Sequence, residues 1–463
     1  MMRCIACAIL LAACGGGSKP LPAWDKTLPP SSVMGSWRGL VPARGIIHLH
    51  SPYSWDACDG APRSPAPLGA IDESCLDDLR AALCTDQIDF AALSDHDDTM
   101  SDEDFTTLFS MRGNDTAVTD ATGRQIASHM TCDDGHVVTI TVGTENDLMP
   151  IMLHDHVPGT VSDRQAIYTG SDAASAMAMR QAGALVWIAH TEEHTIDQLR
   201  DVLPDGIEVY NLHANIDPKI RSMYLNEDAD AALDAAVQFA DTNPNHPEPD
   251  LALLGFLEVN QPAVTTWNQI LADGRHIPAT AGTDAHQNVL PTIFADGERG
   301  DSYRRLMRWF SNVVLVQDPT DPTQIQAALA AGQVFAVFEL MGTPDGFDIH
   351  ATTAAGATVE LGGTVNVSDQ ATLVVDVPRV LNLSRSLPAP EINATVLHVD
   401  STGVTTVATG AGPELDVPLA APGAYRVEIT MVPHHLGPYL GDLGTTYAEQ
   451  SLPWIYASPI YVQ

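Results

Sequence analysis

Six short apolar runs in this chain end in histidine or carboxylate side chains, and this feature constrains the fold more than any other. The six endings are His48-Leu49-His50-Ser51, Ser94-Asp95-His96, Gly143-Thr144-Glu145, His154-Asp155-His156, Ala189-His190-Thr191 and Thr283-Asp284-Ala285-His286. Barrel enzymes build their sites from side chains at the C-terminal ends of successive strands. One such ending has a trivial explanation, but six in register predict a shared site.

Two of these endings have the spacing of paired metal ligands. Side chains at positions i and i+2 of a strand point to the same face. His48 and His50 can therefore hold one metal together, and so can Asp284 and His286. Imidazole and carboxylate ligands without thiolates suit Zn²⁺, Mn²⁺ or Fe²⁺. The pattern thus predicts a site for divalent metals.

Strand-like and helix-like runs alternate from Gly45 to about Met341. Ala and Leu recur at helical spacing in Ser74–Cys84, Asp172–Ala182, Asp228–Ala240 and Pro322–Ala331. Such alternation is typical of parallel strands joined by crossover helices, in a barrel or an open sheet. An open sheet concentrates its ligands at one switch point. Because polar groups follow nearly every strand here, we expect a barrel.

The composition changes after Gly342. Residues 344–463 are rich in Thr, Val, Gly and Pro, with short alternating runs such as Ala371–Val377 and Tyr425–Met431. This pattern predicts an antiparallel β-sandwich, with either a structural role or a role in binding carbohydrate or a partner. The predicted organisation is a signal peptide (1–13), a tether (14–42), an α/β barrel (43–343) and a β-sandwich (344–463).

The N-terminus resembles a bacterial lipoprotein signal. The apolar stretch Cys4–Ala13 is too short to span a bilayer. It ends in Leu11-Ala12-Ala13-Cys14, which resembles a lipobox, and a flexible Gly15-Gly16-Gly17-Ser18 tether follows. We therefore expect lipid on Cys14 and a place in the bacterial cell envelope, in the periplasm or at the cell surface. The alternative is an ordinary signal peptide or a chance match.

The net charge and the number of cysteines further narrow the class of protein and its compartment. The chain has 59 Asp and Glu against 22 Lys and Arg, a formal charge of −37. Such a surface repels long nucleic acids, so we expect none as partner. With Cys4 and Cys7 removed in the signal and Cys14 lipidated, four cysteines remain, Cys58, Cys75, Cys84 and Cys132. In an oxidising compartment they predict up to two disulfides, in any of three pairings.

Taken in order, the strand-end motifs at His48, Asp95, Glu145, His190 and Asp284 resemble those of the PHP family, named for the polymerase-associated domain and histidinol phosphatase. The resemblance covers roughly residues 43–340. It implies a distorted (β/α)₇ barrel, TIM-like in form, that binds up to three divalent metals and hydrolyses phosphoesters.

The resemblance also implies a ligand set. The first metal would lie on His48, His50, Glu145 and Asp284. Glu145 would bridge to a second metal, held also by His190 and by His154 or His156, with His154 preferred because it ends the apolar run. The third would lie on Asp56, His96 and His286.

A site of this kind would activate water rather than a side-chain nucleophile. Two metals that share a hydroxide lower its pKa toward ~7, so that it can attack phosphorus. Asp95 is expected to orient a ligand and His213 to touch the substrate. Phosphate also needs cations, and nothing in the spacing selects among Arg44, Arg63, Arg164 and Arg221.

The predicted function is an extracytoplasmic hydrolase of small phosphorylated substrates, using two to three Zn, Mn or Fe ions per chain. One alternative is an amidohydrolase-like enzyme that cleaves C–N or C–O bonds. Those sites typically use a carboxylated lysine, and no lysine ends a predicted strand here. The other alternative is a non-catalytic surface lipoprotein that binds metal or another ligand.

Overall fold

The computed structural model describes residues 21–59, 69–228, 230, 237–240 and 247–463. The predicted signal peptide, Cys14 and its tether, Arg63 and most of the predicted helix Asp228–Ala240 lie outside these residues. Within the described part of the chain, no helix is both long and apolar enough to cross a membrane.

The described chain is mixed α/β. Its strands are β1 (Val41–Leu49), β2 (Phe90–Leu93), β3 (Thr116–Thr119), β4 (Gln125–Thr131), β5 (Val137–Thr141), β6 (Met149–Ile151), β7 (Leu185–Ile188), β8 (Gly206–Asn211), β9 (Ala279–Gly282), β10 (Ser311–Val316), β11 (Val334–Val337), β12 (Pro344–Asp345), β13 (Asp348–Thr352), β14 (Thr358–Glu360), β15 (Thr364–Val365), β16 (Thr372–Asp376), β17 (Arg379–Val380), β18 (Glu391–Asp400), β19 (Gly403–Gly410), β20 (Glu414–Pro418), β21 (Gly423–Val432), β22 (Leu452–Ala457) and β23 (Ile460–Val462).

The α-helices are α1 (Glu73–Thr85), α2 (Asp97–Met100), α3 (Val161–Tyr168), α4 (Ala173–Gln181), α5 (Ile196–Val202), α6 (Leu212–Ile216), α7 (Pro218–Ile220), α8 (Gln261–Ala272), α9 (Tyr303–Trp309), α10 (Pro322–Ala331) and α11 (Gly444–Tyr447). Side-chain caps fix several of their starts. Asp72 accepts hydrogen bonds from the first-turn amides of α1, and Asp321 does the same for α10.

Two sheets carry the predicted strand ends. The first runs β11-β10-β1-β2-β5-β4-β3 within a thirteen-stranded sheet, and the second is β6-β7-β8-β9. The pairs β1–β2, β2–β5, β7–β8 and β8–β9 are parallel, whereas β10 and β6 run antiparallel to their neighbours. The two sheets meet through isolated bridges, Leu49 to Ala285 and Val142 to Leu153.

The described strands do not close into a barrel, so the predicted TIM-like barrel is not found. Strand β9 meets β1 only at its end, where the Asp284 N–H donates to the His48 carbonyl at 2.9 Å. Further back along β9, a side chain from β10 takes up backbone groups of Ala281. The side-chain amide of Asn312 accepts a hydrogen bond from the Ala281 N–H and donates one to the Ala281 carbonyl, both at 2.8 Å. A buried side chain therefore satisfies the backbone groups that a strand ladder would otherwise pair.

The C-terminal region is rich in strands, as predicted, and it continues the large sheet of the N-terminal region. Strand β11 pairs with β22, which pairs with β21, and β21 pairs in turn with β18 and β23. A separate four-stranded sheet has the order β14-β13-β16-β20. The domain boundary at residue 344 stays a prediction.

Two disulfides join the four described cysteines, Cys58 to Cys75 and Cys84 to Cys132. They select one of the three pairings that the sequence left open. Both link α1 to its surroundings. The first ties the helix to the segment after β1, and the second ties its last turn to the end of β4.

A buried ion pair fixes the start of β1. The guanidinium of Arg44 donates to both carboxylate oxygens of Glu339, at 2.7 and 2.8 Å, and neither side chain has any exposed surface. Glu339 also accepts hydrogen bonds from Ser311 (2.6 Å) and Thr343 (2.9 Å). Burial alone would raise the pKa of Glu339, but Arg44 lowers it below its ordinary value.

We expect Glu339→Gln to lower the free energy of unfolding by about 3–5 kcal/mol, because it leaves the Arg44 charge buried without a counter-charge. In the native chain the same stabilisation is present above the ordinary glutamate pKa and is lost as the pH falls through the lowered one. Chemical denaturation at several pH values measures both effects. Asp273→Asn, in the exposed pair with Arg200, is the control, and an equal loss there would contradict this role for the buried pair.

Candidate metal centre

The two sheets meet at the polar strand ends, and three of these residues have unusual backbones. His48, His190 and Asp284 adopt left-handed conformations, with φ of 70°, 46° and 48°. Non-glycine residues rarely do so, and such strain clusters at functional sites. The register of β1 against β2 shifts between Ile47 and Leu49, so His48 lies at an irregularity of the kind that re-aims a side chain.

Three imidazoles converge on two buried carboxylates. The Nε2 atoms of His48, His50 and His190 lie 3.2, 3.2 and 3.1 Å from the carboxylate of Glu145. The same atoms lie 3.4, 3.0 and 3.4 Å from the carboxylate of Asp284. Both carboxylates direct different oxygens to different histidines, which is the arrangement of a bridging ligand.

Two further groups adjoin this one. The first consists of His50, Asp56 and His96, with His96 Nε2 3.2 Å from Asp56. The second consists of His213, Asp284 and His286, with His213 Nδ1 2.8 Å from Asp284. We call the nine residues together the histidine–carboxylate cluster: His48, His50, Asp56, His96, Glu145, His190, His213, Asp284 and His286.

The cluster differs from the ligand set that the sequence predicted. His286 groups with Asp284 and His213 rather than with His96 and Asp56. His213, expected to touch substrate, lies among the candidate ligands, and its side chain is 39% exposed.

The assignment of His154 as a ligand is corrected. Its backbone N–H donates to the Ala182 carbonyl, and its ring packs against Gly183 and Gln326, away from the cluster. His156 lies elsewhere as well, between the Tyr168 hydroxyl and the Glu103 carbonyl. The apolar run before them is β6, which is antiparallel to β7, so its end does not lie at the same edge as the parallel strand ends.

Sequence reasoning missed Glu208, a buried carboxylate behind the cluster. It lies 2.8 Å from His48 Nδ1 and accepts hydrogen bonds from the His190 N–H (3.1 Å) and the Asn211 amide (2.8 Å). Gly282 makes room for it, because a Cβ there would lie 1.9 Å from its carboxylate oxygen. The signal available in the sequence was a single acidic residue inside the apolar strand Ile207–Tyr210.

Hydrogen-bond partners on the outer side fix the proton of each imidazole. His48 Nδ1 faces the Glu208 carboxylate, His50 Nδ1 faces the Ser54 hydroxyl at 3.2 Å, and His96 Nδ1 faces the Glu145 carbonyl at 3.2 Å. Ser54 itself donates to Asp56 at 2.6 Å, so its oxygen accepts from His50. With a metal bound, each Nδ1 would carry the ring proton and each Nε2 would present its lone pair to the cluster.

This arrangement fits divalent metals. The Nε2 atoms of His48 and His50 are buried and have no hydrogen-bond partner, although a buried polar atom normally has one. Metal-ligating histidines usually donate their other ring N–H to a carboxylate or carbonyl. The donor set of imidazoles and carboxylates without thiolates suits Zn²⁺, Mn²⁺ or Fe²⁺.

The electrostatics of the cluster also favour added cations. Burial alone would lower the pKa of His48, but Glu145 and Glu208 raise it well above its ordinary value. Burial alone would raise the pKa of Asp284, but His48 and its neighbours lower it. No described Lys or Arg forms an ion pair with these carboxylates, so the negative charge is compensated only by imidazoles.

Asp95 has a positioning role rather than a contact with the reaction site. Its carboxylate accepts hydrogen bonds from the Ser51 backbone N–H (2.6 Å) and hydroxyl (2.7 Å), directly after His50. It is 2% exposed, and burial raises its pKa to about 6. It therefore holds the turn that carries His50, in line with the expectation that it orients a ligand.

The arginines considered for phosphate binding have other partners. Arg44 pairs with Glu339, Arg221 pairs with Glu258 at 2.6 Å, and Arg164 donates to the Ser101 carbonyl at 3.3 Å. A fourth acidic group consists of Glu248, Asp250 and Asp296, and basic side chains already form ion pairs with it. Arg304 and Arg305 bind Asp250, and Lys26 binds Asp296.

Comparison with known proteins gives little independent support for a family or a function. No family model matches the chain, and no curated protein matches it. One solved structure does, a two-domain protein from Bacteroides vulgatus ATCC 8482 described as containing a predicted PHP-like metal-dependent phosphoesterase. The match has 11% identity and a TM-score of 0.33, and it covers 92% of this chain and 98% of that one. At this TM-score the similarity does not establish a common fold.

We expect elemental mass spectrometry of the chelator-free protein to find two to three equivalents of Zn, Mn or Fe. Asp284→Asn should lower this occupancy, because the Asp284 carboxylate lies within 4 Å of five imidazoles of the cluster. Asp296→Asn, the same change in the group that Lys26 and Arg305 neutralise, is the control. Full occupancy in Asp284→Asn would contradict its assignment as a ligand.

Glu208→Gln should weaken metal binding by about 10-fold to 100-fold, because it removes the carboxylate that accepts the His48 Nδ1 proton. Competition with a chelator of known affinity measures the change. Glu258→Gln, which alters the pair with Arg221, should leave metal affinity unchanged. If the two variants bind metal equally well, Glu208 does not support the site.

Proposed function

We propose that this chain is a metal-dependent hydrolase of phosphoesters. The nine residues of the histidine–carboxylate cluster would hold two to three divalent metals. One observation carries the proposal: three imidazole Nε2 atoms, from the ends of β1 and β7, converge within 3.0–3.4 Å on two shared carboxylates. When bound, the metals would lower the pKa of water and stabilise charge on the phosphoryl oxygens.

The chain's own residues would position and tune this site. Glu208 and Ser54 hold the rings of His48 and His50 with Nε2 inward, and Asp95 fixes the turn after His50. His213 lies at the exposed rim, with Nδ1 directed to Asp284. This position lets it contact the substrate as well as the cluster, in the role that the sequence predicted for it.

The amidohydrolase alternative has no support in the lysines. A carboxylated lysine would have to reach the cluster, yet Lys26 pairs with Asp296 and Lys219 lies in the short helix α7. Lys19 precedes the described residues. The bridging positions are taken by Glu145 and Asp284 instead.

We also propose that the protein works outside the cytoplasm, anchored by lipid on Cys14. The two disulfides support this, since such bonds persist mainly in oxidising compartments. The two N-terminal sheets would be an incompletely closed form of the predicted (β/α)₇ barrel, followed by the β-sandwich.

Turnover of p-nitrophenyl phosphate and bis(p-nitrophenyl) phosphate by the metal-loaded protein tests the proposal. We expect His50→Ala to lower kcat/KM at least about 100-fold, since its Nε2 is shared by both carboxylates. His434→Ala, in the C-terminal region beside Glu391 and Glu449, is the control, and circular dichroism should show both variants folded. Activity retained in His50→Ala would contradict the assignment.

A further inference from the structure

An apolar cavity of about 440 Å³ opens beside the cluster. At one end it is lined by His213, Asp284 and His286. Elsewhere its walls include Leu253, Phe256, Leu290, Phe294 and Leu306. Small-molecule sites span roughly 300–1,000 Å³ and are mostly apolar with a few convergent polar groups, and this cavity has both properties.

The described lining of the cavity contains no Lys or Arg. Apart from the candidate ligands, its charged residue is Asp301, whose carboxylate accepts hydrogen bonds from the Val289 and Leu290 N–H groups and from Arg299. Residues 222–274, which supply Leu253 and Phe256, contain no Lys or Arg. Behind the other walls, Arg299 is paired with Asp301 and Arg305 with Asp250. The cavity is therefore unsuited to a second anionic group.

Polar organic groups fit the cavity poorly as well. Burying a hydroxyl or amide without a hydrogen-bond partner costs free energy, and the lining offers mainly carbon. Thr283 already donates its hydroxyl to the His48 carbonyl at 2.7 Å. At the mouth Val289 is 47% exposed, so an apolar side chain faces solvent where a ligand would enter.

A second cavity reaches the cluster from another side and has the opposite character. It measures about 250 Å³ and is lined by Glu145 and His190 together with Asn146, Asp147 and Glu193. The cluster thus has one polar approach and one apolar approach. Water is suited to the first, and a carbon-rich group is suited to the second.

We propose that the substrates are phosphoesters of apolar alcohols or phenols. The phosphoryl group would lie at the His213, Asp284 and His286 end, and the alkyl or aryl group would fill the apolar cavity. In a monoester, water forms the new P–O bond, the P–O bond to the organic group breaks, and the departing oxygen takes a proton from the water. The products are orthophosphate and an apolar alcohol. This assignment rests on the proposed function.

The test compares methyl, butyl and hexyl phosphate and glycerol phosphate with the metal-loaded protein. We expect kcat/KM to rise about threefold to fourfold for each added methylene that the cavity buries. Glycerol phosphate, similar in size to butyl phosphate but polar, should be the poorer substrate of the two. Val289→Ser should reduce the ratio of kcat/KM for hexyl over methyl phosphate. Val404→Ser, the same change at an exposed valine of β19, should leave that ratio unchanged.

Calorimetry with methylphosphonate and hexylphosphonate separates this inference from the proposed function. We expect hexylphosphonate to bind more tightly, with a more negative heat-capacity change, and Val289→Ser to weaken it. If hexylphosphonate binds more tightly than methylphosphonate while no ester is hydrolysed, the cavity assignment stands and the proposed function fails. If esters are hydrolysed without regard to chain length and both phosphonates bind equally, the cavity assignment is overturned. If both phosphonates bind equally and no ester is hydrolysed, the cavity assignment and the proposed function are both overturned.

Discussion

The sharing of two buried carboxylates among several imidazoles is the interaction on which the N-terminal region depends. Glu145 follows β5 in the large sheet, and Asp284 follows β9 in the four-stranded sheet. The histidines come from both sheets, and apart from them the sheet edges meet through isolated bridges. Cations bound here would join two sheets that no continuous ladder joins, and metal binding would then be coupled to folding at this point.

Strand β1 carries two buried polar networks of opposite kind. Near its start Arg44 and Glu339 neutralise each other, and hydroxyl groups satisfy the remaining lone pairs. At its end His48 and His50 leave Nε2 atoms without partners among carboxylates that lack a described Lys or Arg. The first network is complete within the chain, whereas the second would be completed by an added cation. The Arg44–Glu339 network thus has the character of a structural polar group, and the His48 and His50 network has that of a candidate functional site.

Much of the site could be predicted because its signals are local. Polar residues directly after apolar runs, such as His190 after β7, lie where parallel strands end. The pattern could not show that β6 is antiparallel, and the assignment of His154 was wrong for that reason. Glu208 was missed because its partner His48 is 160 residues away. The barrel was expected from the alternation of elements, but β9 meets β1 only through an isolated bridge at its end, and the Asn312 side chain takes up the backbone groups of Ala281 instead.

The pairing of β11 with β22 has a consequence for any attempt to study the N-terminal region by itself. The predicted boundary at residue 344 falls between these strands in the chain, so a truncation there would remove β22 and leave one side of β11 unpaired. The exposed strand, Val334-Phe335-Ala336-Val337, is entirely apolar. Open edges of this kind recruit strands from other molecules. The shortened protein would therefore be prone to self-association, because the strand that covers this edge in the full chain would be missing.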